Sequence, residues 1–308
     1  MKHLISLSDL TADDIQEILL TATNLKRKFN KGERPALLQG RVLCMVFEKP
    51  SLRTRNSFEA AMIQLGGGGI FLSSQDVGLH GRETLADVAR VLSSYCDVVV
   101  LRTFSQMLLE EFVRHSSCTV INGLSDDRHP CQALTDLLTL QEAFGRLNGQ
   151  QLVYVGDGNN IASSLAVAAC KLQIALTVCS PPGYELGSDF LAGLKQQHPA
   201  AQIVLEADPI EAVKRADVVY TDVWASMGQE AEANQRRKVF APYQVNAQLM
   251  SQAPSGCLFM HDLPAHRGEE VTDEILDGPR SIAFQQAENR MHLAKGLLVW
   301  VEGLKDKG

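Results

Sequence analysis

Several features are missing from this 308-residue sequence, and each absence removes a class of function. No apolar run approaches the roughly 20 residues that cross a bilayer, so no membrane partner is expected. No CxxC pair occurs. The cysteines (Cys44, Cys96, Cys118, Cys131, Cys170, Cys179 and Cys257) are odd in number and scattered through apolar segments. They read as reduced core thiols of a cytoplasmic protein, not as a disulfide frame. Positive charge is in deficit: 29 Lys and Arg face 36 Asp and Glu, a net charge of -7. That balance argues against nucleic acid or an anionic surface as the main partner, although a local cluster of arginines can still bind a small anion. Short repeats and low-complexity tracts are absent, and the opening MKHLISLSDLTADD turns acidic too early for a signal peptide.

What is present is a globular composition, 45% hydrophobic and 21% charged, in a chain long enough for two domains. Thr11-Ala12-Asp13-Asp14 resembles a capping box, and Ile15, Ile18, Leu19, Ala22 and Leu25 follow at helical spacing. Apolar strand patterns at 41–47, 69–73, 97–101 and 118–122 then alternate with helical patterns. A long helix is expected from His129 to Phe144. A second alternating series has strands at 152–155, 175–179, 202–205, 217–221 and 257–261. Alternation of this kind implies parallel sheets with right-handed crossovers. The expected fold is α/β with two domains, each a parallel sheet flanked by helices. We place the domains at residues 1–140 and 141–285, with the final helical segment 286–308 packing back on the first. Gly66–Gly69 reads as a turn between a helix and a strand.

In parallel sheets ligands gather where strands end and helices begin. After the first strand comes Ser51-Leu52-Arg53-Thr54-Arg55, a helix start with hydroxyl donors and two forked, permanently charged guanidinium groups suited to phosphate. Alone, such a stretch is more often a capped helix with solvated arginines. Arg102 stands at the end of another strand, and His129-Pro130-Cys131-Gln132 opens a helix where an imidazole and an amide one turn apart can grip a carbonyl and an amino group. Three strand ends bearing anion-binding groups favour a site.

Together, S-x-R-T-R, an arginine after a strand and H-P-C-Q-A-L resemble the aspartate/ornithine carbamoyltransferase family, in which aspartate-using members carry threonine at the Cys131 position. The second half adds Gly156-Asp157-Gly158-Asn159-Asn160, Asp222-Val223-Trp224-Ala225-Ser226-Met227-Gly228, His261-Asp262-Leu263-Pro264 and Glu288-Asn289-Arg290-Met291-His292. These are similar, in order and over nearly the whole chain, to motifs of the ornithine-using members.

The resemblance implies transfer of a carbamoyl group from carbamoyl phosphate to the δ-amine of L-ornithine, giving L-citrulline and phosphate without a cofactor or metal. By position, Ser51, the Leu52 backbone, Arg53 and Thr54 would hold the phosphate, and Arg102 would bridge phosphate and carbonyl oxygen. His129 and Gln132 would take the carbonyl and amide, helped by the Leu263 carbonyl and by Arg290. Asn160, Asp222, Ser226 and Met227 would hold the amino-acid end of ornithine. Gln75 would reach the site of a neighbouring subunit in a homotrimer, and whether His80 or Arg82 also does so is left open. Closure of the two domains on the substrates is expected to exclude water.

The chain departs from the family at Asp262, where the motif H-C-L-P has cysteine. An acid there would either favour the ammonium form of the δ-amine or accept its proton. Other readings are weaker. A nicotinamide enzyme is hinted at by Gly156-Asp157-Gly158, but the third glycine position is Ile161 and no ribose-binding acid follows the next strand. A zinc site at Cys257, His261 and His266 is geometrically workable, yet a core thiol and a hydrogen-bonded histidine are commoner. A non-catalytic homologue that only binds ligand or a partner draws on the departure at Asp262, whereas a carbamoyltransferase for putrescine or an acylated ornithine is disfavoured by Ser226-Met227-Gly228 and Asp222, which suit a free α-amino acid.

Overall fold

The protein is described from a computed structural model covering residues 2–78, 81, 83–225 and 228–304. It comprises two compact units, Met1–Leu138 with Glu288–Gly308, and Thr139–Ala287.

The first unit is built on four parallel strands, β1 (Val42–Phe47), β2 (Gly68–Ser73), β3 (Val98–Arg102) and β4 (Thr119–Leu124), in the order β2-β1-β3-β4. Every residue of β3 is buried, as expected of a parallel strand covered on both faces. The connecting helices are α1 (Ala12–Asn30), α2 (Leu52–Gln64), α3 (Leu85–Tyr95), α4 (Gln106–His115) and α5 (Pro130–Phe144). The capping box at α1 is present: Thr11 Oγ1 accepts from the Asp14 amide at 3.1 Å, and the Asp14 carboxylate accepts from the Thr11 amide at 2.9 Å. The glycine run is only partly a turn, because Gly68 and Gly69 open β2. Gly67 is fixed by space: a Cβ there would lie 2.8 Å from the Arg41 carbonyl oxygen and from the Met62 methyl.

The second unit has five parallel strands, β5 (Gln151–Val155), β6 (Ala175–Cys179), β7 (Ile203–Glu206), β8 (Val218–Thr221) and β9 (Leu258–His261), ordered β7-β6-β5-β8-β9. Its helices include α6 (Asn160–Leu172), α7 (Ser188–Gln197) and α8 (Ala233–Phe240), and the chain leaves the unit within α9 (Ala283–Val301). The expected α/β architecture is present, and each expected strand falls within two residues of its observed ends.

Both sheets have a reversal point. In the first, the chain winds outward from β1 to β2, then returns to the other side of β1 with β3. In the second it does the same from β5 through β6 and β7, then returns with β8. Connections leaving in opposite directions open a crevice at the carboxyl ends of β1 and β3, and of β5 and β8. Phe47 is in register with Arg102, Val155 with Thr221, and Thr221 with His261, so the residues following these strands begin level with one another.

Candidate active site

At the β1–β3 crevice, Ser51 caps α2. Its backbone is extended and its Oγ accepts from the Thr54 amide at 3.1 Å. The first amides of a helix lack internal partners and carry its positive end, so this terminus favours an anion. Thr54 is buried, and its Oγ1 accepts from Arg290 Nη2 at 2.9 Å. Arg290 also donates to Gln132 Oε1, and Gln132 Nε2 donates to Asp136 Oδ1 at 2.7 Å. This chain of bonds ties α2, α9 and α5 together. Gly123 leaves room for Thr54: a Cβ there would meet Val100 Cγ1 at 3.0 Å, the Leu101 carbonyl oxygen at 3.1 Å and Thr54 Cγ2 at 3.5 Å.

Arg102 is buried at the end of β3 and His129 is buried just ahead of α5. Burial, and then the charges of Arg290 and Arg102, hold His129 well below the ordinary imidazole range. It is therefore neutral at physiological pH and can donate a hydrogen bond without adding charge. The charge in this region comes from guanidinium groups, which do not titrate. Lys49, buried in the loop after β1, is bound to Asp126 at 2.5 Å and lies 4.2 Å from the Phe104 ring centroid. That contact joins the loops after β1 and β4.

Not every residue of the first motif faces one way. The Arg55 guanidinium sits 3.7 Å over the Phe71 ring and 3.6 Å from Glu59, so of the two arginines read as phosphate donors only Arg53 is not held in that stack. Leu52, assigned through its backbone, has an exposed side chain. Gln75 is exposed on the short helix Ser74–Val77. Cys131 is fully buried with Sγ 3.3 Å from the Asn122 carbonyl oxygen, and burial pushes its thiol up to about 12, so it acts as an apolar spacer.

The β5–β8 crevice has the opposite character. Asn159 caps α6, its Oδ1 accepting from the Ile161 and Ala162 amides at 2.9 and 3.2 Å, while its Nδ2 donates to Asp222 Oδ2 at 2.8 Å. The other Asp222 oxygen accepts from the Val223 amide at 2.7 Å. Burial first, then the neighbouring Asp262 charge, push Asp222 well above the usual carboxylate range; His261 and the Asn159 amide pull the other way. Tyr154, whose hydroxyl is 3.3 Å from Asn159 Oδ1, is raised by burial and by the charges of Asp222, Asp262 and Asp157.

Asp262 follows β9 directly, so the carboxylate after the apolar run is placed by strand register beside Asp222. His261, fully buried, donates from Nε2 to Glu270 Oε1 at 3.0 Å, and its Nδ1 accepts from the Leu263 amide at 2.9 Å. That geometry describes a neutral ring. Burial lowers its proton affinity, but Asp262, Glu270 and Asp222 outweigh burial and carry it to about 9. Charging the ring requires giving up the Leu263 bond. Leu263 itself has φ +58, a left-handed backbone for a non-glycine residue. With both His261 nitrogens engaged, and Cys257 buried at the far end of the strand, the zinc reading has no support from geometry.

Ser226, Met227, His80 and Arg82 lie outside the described residues. Asn160 is the first residue of α6, but it is Asn159 that bonds Asp222, a role the tandem asparagines did not distinguish in sequence. Two further groups were missed. Glu270 receives His261, and Arg236 binds Asp157 at 2.7 Å and the Trp224 carbonyl oxygen at 3.0 Å, holding the segment after Asp222. In sequence Arg236 is one cation in a run that reads as a solvated helix face.

Comparison with known proteins follows the same division. The family model for the aspartate/ornithine carbamoyltransferase carbamoyl-P binding domain matches residues 2–142, and that for the Asp/Orn binding domain matches residues 148–301. An ornithine carbamoyltransferase of Anoxybacillus flavithermus is 52% identical, covering 97% of this chain and 96% of its own. The solved ornithine carbamoyltransferase of Pyrococcus furiosus superposes with a TM-score of 0.95 at 48% identity, over 99% of this chain and 98% of its own. The anabolic enzyme of Campylobacter jejuni superposes at 0.91 with 36% identity, over 98% and 99%. The chain belongs to the aspartate/ornithine carbamoyltransferase family.

Proposed function

We propose that the protein transfers the carbamoyl group of carbamoyl phosphate to the δ-amine of L-ornithine, yielding L-citrulline and phosphate. The observation that carries this reading is the opposite chemistry of the two crevices: non-titrating guanidinium groups with a helix N-terminus at β1–β3, and buried carboxylates with asparagine at β5–β8. The first suits a phosphate ester and its carbonyl, the second a cationic amino acid.

Ser51, the Leu52 amide, Arg53 and Thr54 hold the phosphate, and Arg102 spans phosphate and carbonyl oxygen. His129, Gln132, Arg290 and the Leu263 carbonyl hold the carbamoyl group. Asn160, Asp222, Ser226 and Met227 hold the amino-acid end, with Asp262 at the δ-amine. Residues 1–140 with 286–308 form the carbamoyl-phosphate domain, and 141–285 the ornithine domain. The neutral amine attacks the carbonyl carbon, the C–N bond forms, and charge collects on the carbonyl oxygen opposite Arg102, His129 and Thr54. The C–O bond to phosphate then breaks, and phosphate leaves with the proton that the new amide nitrogen gives up. Preorganised donors of this kind lower a barrier by about 3–4 kcal/mol each, so positioning and electrostatics account for the rate.

A homotrimer in which Gln75, exposed on its short helix, reaches a neighbouring site completes this reading. No helix among the described residues is long and apolar enough to cross a membrane, and seven buried, unpaired cysteines support a cytoplasmic setting. The test is a citrulline-type ureido assay with ornithine, putrescine, N-acetylornithine and aspartate as acceptors. Ornithine is expected to be preferred by orders of magnitude; turnover of another amine without ornithine turnover overturns the substrate.

A further inference from the structure

Gln132 stands between two groups that each leave it a single partner atom. Asp136, one turn further along α5 and fully buried, offers acceptor oxygens, and its Oδ1 takes a proton of Gln132 Nε2 at 2.7 Å. Arg290 can only donate, and its Nη1 bonds Gln132 Oε1. The amide is therefore fixed in one of its two orientations. A flip would set N–H against the guanidinium and carbonyl against the carboxylate, two buried mismatches in one move. Direction passes on through Arg290. Its Nη2 donates to Thr54 Oγ1 at 2.9 Å, so the Thr54 hydroxyl accepts on that side and turns its own proton elsewhere.

The four buried side chains thus form a line with a sense of direction, which Asp136 anchors. A carbamoyl group needs such a sense. Its carbon carries an oxygen that accepts and a nitrogen that donates, whereas an acetyl group has the oxygen and a methyl. Gln132 Oε1 keeps a second lone pair that can accept from the carbamoyl N–H, and Thr54 keeps a proton for an oxygen. Without an acceptor at position 136, Gln132 Nε2 loses its buried partner, and the amide gains by turning. Its N–H would then oppose the N–H of a carbamoyl group, while a methyl would lose nothing.

We propose that Asp136 is a positioning residue that makes the site selective for a carbamoyl group over an acetyl group. It touches no substrate; it holds the Gln132 amide with its oxygen toward the carbamoyl nitrogen. This rests on the carbamoyl phosphate reading above and adds to it the group that fixes the amide. Arg290 alone does not suffice, because its bond to Oε1 gives Nε2 no acceptor. Asp136 also brings negative charge to a region of guanidinium groups, and the two duties make different demands. Balancing charge requires a carboxylate, whereas orienting the amide requires only an acceptor oxygen, which asparagine also has.

The experiment is calorimetric binding of two stable phosphonates, phosphonoacetamide and 2-oxopropylphosphonate, to the full-length protein. They share the phosphonate and the carbonyl and differ only in amide nitrogen against methyl. The wild-type protein is expected to prefer the amide by about tenfold or more. Asp136→Leu should reduce that preference to within about threefold while leaving ketone affinity within about threefold, which also shows an intact phosphate site. Asp136→Asn should keep the preference. Equal affinities in the wild-type protein, an undiminished preference in Asp136→Leu, or parallel loss of both ligands overturns the inference and leaves the carbamoyl phosphate reading standing. A preference lost in Asp136→Asn overturns it too, because the effect then belongs to the charge. Asp136→Ser, too short to reach Gln132, reads the same comparison where Asp136→Leu does not fold. Failure of the wild-type protein to bind either phosphonate overturns the carbamoyl phosphate reading as well.

Discussion

The two crevices, each at a sheet reversal, carry charges of different permanence. At β1–β3 the protein places groups that are positive at every accessible pH, Arg102 and Arg290, and keeps the buried His129 neutral. At β5–β8 it clusters Asp222 and His261, whose proton affinities are both raised, with Asp262 and Glu270 beside them. On the proposed reading, permanent charge would suit a phosphate that is anionic throughout the working range, and titratable charge would suit an amine that arrives as ammonium and reacts as a free base.

The sharpest way to break the comparison is to remove permanence from the first half. Arg53→Ala should lower kcat/KM for carbamoyl phosphate by about a hundred- to a thousandfold while the melting temperature stays within a few degrees, because its side chain is only half-buried. Unchanged steady-state kinetics would remove Arg53 from the phosphate site. Next, the two substrates should respond differently to pH. KM for carbamoyl phosphate is expected to be nearly flat between pH 7 and about 9, the range over which His261 can change charge, whereas KM for ornithine should change several-fold. Parallel profiles would erase the distinction.

A smaller effect is on stability. Asp222 has a folded-state proton affinity above its unfolded value, so ionisation opposes folding and stability is lost as pH rises above the ordinary carboxylate value of 3.8. Asp262→Asn removes the charge that adds to this penalty. The melting temperature at pH 8 should rise by roughly 2–4 °C, equivalent to about 1 kcal/mol, and the gain should shrink at pH 5. A loss of stability at pH 8 would mean that Asp262 is held by favourable contacts instead.

The smallest effect lies away from both crevices. His292 packs edge-on to Phe29 at 5.1 Å, and burial, then the charges of Lys295 and Lys26, hold it at about 4. As pH falls from 6.5 toward 4 the unfolded chain takes up a proton that the folded chain refuses, so stability is withdrawn in that window. His292→Leu should flatten the acid side of a melting-temperature profile without altering ornithine kinetics.

These contrasts were unevenly legible in the sequence. The strands were readable because parallel strands covered on both faces are continuous apolar runs, and the strand ends that carry the candidate residues followed from the alternation. Ser51, Thr54, Arg102 and His129 were readable because each stands where a strand pattern stops. The stacking of Arg55 on Phe71 was not legible, because periodicity says which way a helical residue points but not what stands there. The bonds from Asn159 to Asp222, from His261 to Glu270 and from Arg236 to Asp157 join segments with no common local pattern. Only sheet register and packing bring them together. The acid at Asp262 was conspicuous in the sequence, but its place beside Asp222 depends on the register of β8 with β9.

One earlier feature reaches beyond substrate binding. All seven cysteines are buried and unpaired, burial pushes the thiols of Cys44, Cys131 and Cys179 up to about 12, and the chain carries aspartate where its family motif has a cysteine. Thiolates are what peroxides, electrophiles and soft metal ions attack. A protein whose reactive groups are guanidinium, imidazole and carboxylate, and whose thiols stay protonated in the core, offers such reagents no entry to its chemistry. Its activity should survive oxidative and thiophilic stress for as long as the fold itself does.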